Sequence, residues 1–97
     1  MTRFKELDPI LHSQLRLAVI SLLIGTDVAE FTYIREQTGA TAGNLSIQIT
    51  KLKDAGYIEV TKKFRNNYPQ TLCSITKLGK QKFTEYVIDL KDYLSPE

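Results

Sequence analysis

The sequence predicts an α+β fold, mostly helical, with an antiparallel hairpin placed between short helices and one long C-terminal helix. Three observations predict it. The stretch Thr41–Tyr57, TAGNLSIQITKLKDAGY, opens on a helix cap, carries a single apolar stripe and stops at a glycine. After Gly56 the apolar spacing changes from helical to alternating. After Thr76 it becomes helical again and continues to Leu94.

The elements follow in order. Residues 1–97 are the size of one small domain. Residues 1–13 form an arm and the start of a helix. Met1–Leu7 reads as extended, with Phe4 and Leu7 available to dock on a neighbour. Asp8-Pro9 is a cap followed by proline at the first helical position, and Ile10–Ile24 is helical with a break near Ser13. From Leu15 onward its apolar residues run most of the way round, which predicts burial on more than one side. Gly25-Thr26-Asp27 ends it. Ala29–Thr32 is a short strand, and Thr32 caps a helix over Tyr33–Thr38 with Phe31 and Ile34 as core anchors. Gly39-Ala40 makes a tight turn.

Thr41 then caps the central helix, since its hydroxyl can accept a backbone N–H of the first turn. Gly56 suits the left-handed stop after the helix. Leu45, Ile49 and Leu52 share one face. The opposite face holds Gly43, Asn44, Ile47, Thr50, Lys51 and Asp54, with Ser46 at its flank. Small residues and short hydrogen-bonding side chains there suit close approach to a DNA major groove, where an ordinary surface helix carries Glu, Lys and Gln. Tyr57–Thr61 is a strand with Ile58 and Val60 inward. Lys62–Gln70, KKFRNNYPQ, reads as a polar loop, with Phe64 at the base of the hairpin and Tyr68 packed under it, stacking of Tyr68 on a sugar being the alternative. Thr71–Thr76 is the return strand with Cys73 and Ile75 inward. Thr76 caps the last helix, Lys77–Leu94, whose stripe is Phe83, Val87, Leu90 and Leu94, with Tyr86 and Tyr93 beside it.

Charge is unevenly placed along the chain. The net charge is only +2, yet residues 51–82 hold eight basic side chains (Lys51, Lys53, Lys62, Lys63, Arg65, Lys77, Lys80, Lys82) against Asp54 and Glu59. Segregation of this kind marks a polyanion-binding face; a solvated lysine-rich surface is the plain alternative. Lys77, Lys80 and Lys82 also stand at the wrong end of their helix for its dipole, either because a phosphate backbone lies nearby or because exposed charges of this kind are simply tolerated.

Helix, short strand, helix, turn, helix, hairpin, helix is the order of a winged helix-turn-helix domain with a two- to three-stranded antiparallel wing and a C-terminal helix. HSQLRLAVISLL, FTYIREQTGATAGNLSIQITKLKDAGYIEV and TLCSITKLGKQKF resemble the small winged-helix transcriptional regulators akin to the MarR and ArsR groups. The resemblance implies a homodimeric regulator of double-stranded DNA. The helix 41–55 would enter the major groove, and the wing 62–70 would lie on the backbone or in the minor groove. Thr41, Gly43, Asn44, Ser46, Ile47, Thr50 and Lys51 are the helix candidates for DNA contact, joined by Lys62, Lys63, Arg65, Asn66 and Asn67 on the wing and by Lys77. Ile47 stands where such regulators often carry a basic residue and suits a thymine methyl. The first and last helices would form the dimer, with Phe4, Leu7, Phe83, Tyr86, Val87, Leu90 and Leu94 as interface candidates. A small-molecule effector would sit between the dimer helices. The alternative on the same fold is a protein-interaction module without DNA binding.

Other classes are set aside. No apolar run is long enough to span a bilayer, and MTRFKELDPI lacks a signal-peptide core. A single cysteine, Cys73, allows no internal disulfide, so a reducing, cytoplasmic compartment is expected. His12 and Cys73 are too far apart in sequence to suggest a metal site, and no catalytic constellation or phosphate loop is present. No cofactor and no enzymatic activity are expected.

Overall fold

The computed structural model describes residues 3–95. Met1 and Thr2 of the expected arm, and Pro96 and Glu97, lie outside the described residues. The element order is α1 (Gln14–Thr26), β1 (Val28–Glu30), α2 (Phe31–Thr38), α3 (Ala42–Asp54), β2 (Ile58–Arg65), β3 (Tyr68–Ile75) and α4 (Lys77–Leu94). The three strands form one antiparallel sheet in the order β1-β3-β2. No helix among the described residues is long and apolar enough to cross a membrane.

The core is built where the helices meet the root of the sheet. Val19, Ile20 and Leu23 of α1, Ile34 of α2 and Leu45, Ile49 and Leu52 of α3 close around Ile58 and Cys73, with Leu11, Ala29, Tyr57 and Tyr86 completing the cluster. The stripe Leu45–Ile49–Leu52 is therefore the buried face of α3, as its spacing predicts. Thr41 Oγ1 accepts from Asn44 N at 3.1 Å, and Gly56 takes φ +83° just past the helix. Thr76 does more than cap α4. Its hydroxyl accepts from Gly79 N at 3.0 Å and donates to Gly56 O at 2.7 Å, so one side chain links the start of α4 to the end of α3. Gly79 sits so close to β2 that a Cβ there would lie 2.2 Å from Tyr57 O. Only glycine allows that approach without moving backbone.

Four boundaries differ from the sequence expectation. Asp8 does cap, but it caps a turn: Ile10 N donates to its Oδ1 at 2.8 Å, and the α1 helix begins only after Ser13. Helix α1 also runs through Gly25 and Thr26 to Asp27, which takes a positive φ of +64° with ψ −42°. Thr32 does not cap α2. That helix starts at Phe31 directly from β1, with Glu30 at its N-cap. The largest difference is the wing. Lys62–Gln70 is strand for most of its length, and the loop is only Asn66-Asn67, at φ +51° and +66°. Two consecutive left-handed residues are what a two-residue type I′ hairpin turn requires, and asparagine tolerates that conformation. Pro69, which cannot donate to a ladder, is tolerated because β1 pairs with β3 only at Leu72–Ser74, leaving Pro69 bonded on one side to β2.

The molecule is long for its size, 55 × 25 × 21 Å with a radius of gyration of 14.8 Å. A compact chain of this length would have a radius near ~12.5 Å. The wing beyond Val60 and the last turn of α4 extend past the core.

Candidate nucleic-acid interface

Helix α3 and the wing lie on one side of the molecule and share a cleft of about 350 Å³. Ser46, Thr50 and Lys53 line it from α3, Val60 and Lys62 from β2, and Thr71 from β3, with Phe31 and Ile49 at its floor. The register explains why Lys62 faces the helix. Ile58, Val60, Lys62 and Phe64 alternate onto one face of β2. Ile58 and Val60 pack on the core, so Lys62 emerges where the core ends and Phe64 lies beyond it.

The outward face of α3 is free of the core. Gly43, Asn44, Ser46, Ile47, Thr50 and Lys51 are all exposed, and Ile47 keeps 56% of its surface in water. Gly43 has no neighbour near its Cβ position, so flat, close approach is open there. Three of the polar groups are partly held. Thr41 spends its hydroxyl on the cap. Thr50 Oγ1 donates to Ser46 O at 3.0 Å, which leaves its lone pairs outward. Asn44 Oδ1 accepts from Gln48 Nε2 at 3.1 Å, leaving its amide NH₂ outward.

That last bond belongs to a chain that sequence reasoning missed. Arg16 Nη1 donates to Gln48 Oε1, and Arg16 Nε donates to Ile10 O at 2.6 Å. The turn before α1, the guanidinium, Gln48 and Asn44 therefore form one hydrogen-bonded line that sets the Asn44 amide. The pair Asn44–Gln48 is an i,i+4 spacing legible in sequence. Nothing in sequence joins positions 16 and 48.

The wing carries Lys62, Lys63 and Arg65 on strands, not on a loose loop. All of 61–69 is exposed. Asn66 and Asn67 form the turn itself. Phe64 and Tyr68 do not pack under the hairpin as the sequence suggests: they are 80% and 74% exposed, because the core ends at Val60 and Cys73. Lys77 stands exposed at the first position of α4 and does not line the cleft. Two lysines beside it have carboxylate partners, Lys80 with Asp27 at 3.1 Å and Lys82 with Glu85 at 3.6 Å. Local ion pairs thus go some way to explain lysines at this helix end, although such exposed pairs add little stability.

The last turns of α4 expose apolar side chains among charged ones. Leu94 is 71% exposed, and Ile88 and Tyr93 are also open. Phe4 packs on Tyr93 with ring centroids 5.1 Å apart, Tyr93 Oη donates to Lys5 O, and Arg3 reaches Asp92 O at 3.2 Å and Ser95 O. The arm thus lies along the last turns of α4. Tyr86 is buried in this chain's own core, where its hydroxyl meets His12 Nδ1 at 3.1 Å. Leu7, Phe83 and Leu90 pack against that core, and Val87 is half-buried.

Two buried titratable groups are inert. Burial pushes the Cys73 thiol up to about 11, away from the thiolate a redox sensor needs. Burial, and then the Asp8 carboxylate that accepts its hydroxyl hydrogen bond, raise Tyr57 well above an ordinary phenol.

The family described as the winged helix DNA-binding domain matches residues 15–94. An uncharacterized protein of Methanocaldococcus jannaschii is 31% identical over 81 residues, spanning 84% of this chain and 88% of that one. A transcriptional regulator homologue from Pyrococcus horikoshii OT3 superposes with a TM-score of 0.82 at 27% identity, covering 88% of this chain and 84% of that structure. NadR, solved in complex with 4-hydroxyphenylacetate, shares the fold with a TM-score of 0.72 at 20% identity, covering 89% and 63%.

Proposed function

This chain belongs to the winged helix DNA-binding domain family of transcriptional regulators, and from that premise we propose that it binds a two-fold symmetric operator as a homodimer in the cytoplasm. Its family is a regulator family and not an enzyme class. The observation that carries the reading is the shared cleft: the exposed face of α3 and the cationic wing open to the same side, with Ser46, Thr50 and Lys62 on its walls.

In this reading α3 lies in the major groove. Asn44, through its outward NH₂, and Ser46 meet base edges, Ile47 meets a thymine methyl, and Lys51 meets phosphate. Gly43 lets the helix start approach the duplex. Thr50 and Thr41 line the approach while holding the helix geometry. Lys62, Lys63 and Arg65 grip phosphates flanking that groove, on strands that Asn66 and Asn67 turn. Lys77 adds long-range attraction.

The dimer forms through the far end. Ile88, Tyr93 and Leu94 of α4, with Phe4 laid across Tyr93, offer an apolar surface that extends past the core. Val87 and Leu90 border it. Tyr86, Phe83 and Leu7 support it from beneath. The sequence puts a small-molecule effector between the dimer helices; we place it instead within one chain, in the cleft of about 470 Å³ formed by Gln14, Leu15, Ala18, Gln37, Thr38, Ala40 and Asn44, which α4 does not line. Its volume suits a small ligand, and it borders the Asn44 contact.

Selection of bound duplexes from a random pool, with the protein's solution mass measured in the same buffer, tests this reading. Enrichment of an inverted repeat with half-sites about 34 Å apart, by a dimer, is expected. No binding at low salt would leave a protein-interaction module instead.

A further inference from the structure

We propose that Phe64 is an apolar wedge that the wing drives into the DNA minor groove, so that the wing reads groove shape as well as phosphate charge. The inference rests on the DNA-binding reading above. Phe64 is the most exposed large hydrophobic residue among those described, at 80%. It is not on a loop that could fold it away. Its backbone is paired with Pro69 in the β2–β3 ladder, one residue from the Asn66-Asn67 turn. An aromatic ring held in water on a rigid strand gains from any partner that dries it.

The surroundings select the partner. Lys62, Lys63 and Arg65 lie within two residues of the ring. An apolar protein surface covering Phe64 would strip water from those cations without compensating them. A minor groove does the reverse. Its rims are phosphate and its walls are sugar C–H groups. Its width, about 6 Å, is too narrow for the two-stranded ribbon itself but admits a side chain projecting from the hairpin tip. Inserted apolar side chains flanked by basic ones are a general device for gripping that groove. Phe64 shares its strand face with Lys62, which lines the cleft opposite α3. Tyr68 pairs with Arg65 and projects from the other face. The ring is therefore on the side that faces the duplex when α3 does.

The test separates charge from wedge by salt dependence. A labelled mixed-sequence duplex of about three helical turns, roughly 31 base pairs, is titrated with wild type, Phe64→Ala, Phe64→Leu and Tyr68→Ala across a salt series. Phe64→Ala is expected to lose about tenfold in affinity at every salt concentration. Its log–log line would run parallel to wild type, since no cation is removed. Phe64→Leu would recover most of the loss, and Tyr68→Ala would lose less than Phe64→Ala. Wild-type affinity in Phe64→Ala would overturn the wedge while leaving the DNA-binding reading intact. A loss with a shallower slope would also overturn it, because the ring would then be arranging cations. Failure of wild type to bind at low salt would remove both.

Discussion

Helix α3 and the wing face the same cleft, but different forces hold them there. Under α3 lie Leu45, Ile49 and Leu52, all buried, and the helix is clamped at both ends by Thr41 and by the Thr76–Gly56 bond. The wing beyond Val60 has no core beneath it. It is held by ladder hydrogen bonds and by two asparagines in a tight turn. Packing places the helix, and backbone geometry places the wing. Damage under the helix should therefore unfold the protein and take binding with it, whereas damage on the wing should change binding and leave the fold standing.

Leu52→Ala should sharpen this contrast most. It opens a cavity beneath α3 and is expected to destabilise by about 2–5 kcal/mol, lowering Tm by roughly 10 °C or more; thermal unfolding checks it. The root of the wing should behave like α3. Cys73 there is fully buried, and its folded thiol titrates near 11 against an ordinary 9.0. Its contribution is thus fully present below pH 9 and is lost as pH rises toward 11, on the order of 2 kcal/mol. Denaturant melts at pH 8 and pH 10 should show the loss, and Cys73→Ala should flatten the part between pH 9 and 10. Tyr57 adds to the fall at higher pH.

At the turn, Asn67→Val forces a β-branched residue into the left-handed region and should destabilise by about 1–2 kcal/mol, loosening the wing more than the core. Hydrogen exchange resolved by residue would locate it, and equal loss of protection in α3 would break the contrast. Arg16→Ala frees Gln48 and Asn44. It should lower stability by about 1 kcal/mol while blurring the base preference of a selected duplex pool; an unchanged preference would show that Asn44 needs no such support. Lys62→Ala should leave Tm unmoved and reduce the salt slope by about 0.9.

The same division explains what was legible in the sequence. Helix α3 and helix α4 were legible to within a residue. For α3, cap, stripe and stop agree in Thr41, Leu45–Ile49–Leu52 and Gly56. For α4 the Thr76 cap fixed the start, whereas the expected stripe was partly wrong, since Tyr86 is the buried side chain and Leu94 is exposed. The wing was misread because periodicity reports burial, and a strand exposed on both faces has none to report. Its one signal was Asn66-Asn67, a turn pair hidden in a polar run. The α2 start was displaced because β1 passes into it without a spacer, so no cap residue was needed at Thr32. The Arg16–Gln48–Asn44 line lay beyond reach because it joins positions 32 apart, and side-chain contacts of that separation leave no pattern in a single chain.

Strand β2 is one of the two outer strands of its sheet, and much the longer. Its outer edge offers unpaired backbone groups over eight residues, the template on which copies of a protein stack into aggregates. Lys62, Lys63 and Arg65 lie along that edge, and like charge on every copy keeps two such edges apart. The wing cations therefore protect solubility before any DNA is met. A double Lys62→Ala, Lys63→Ala variant should scatter light on concentration while its dilute melting curve stays that of wild type.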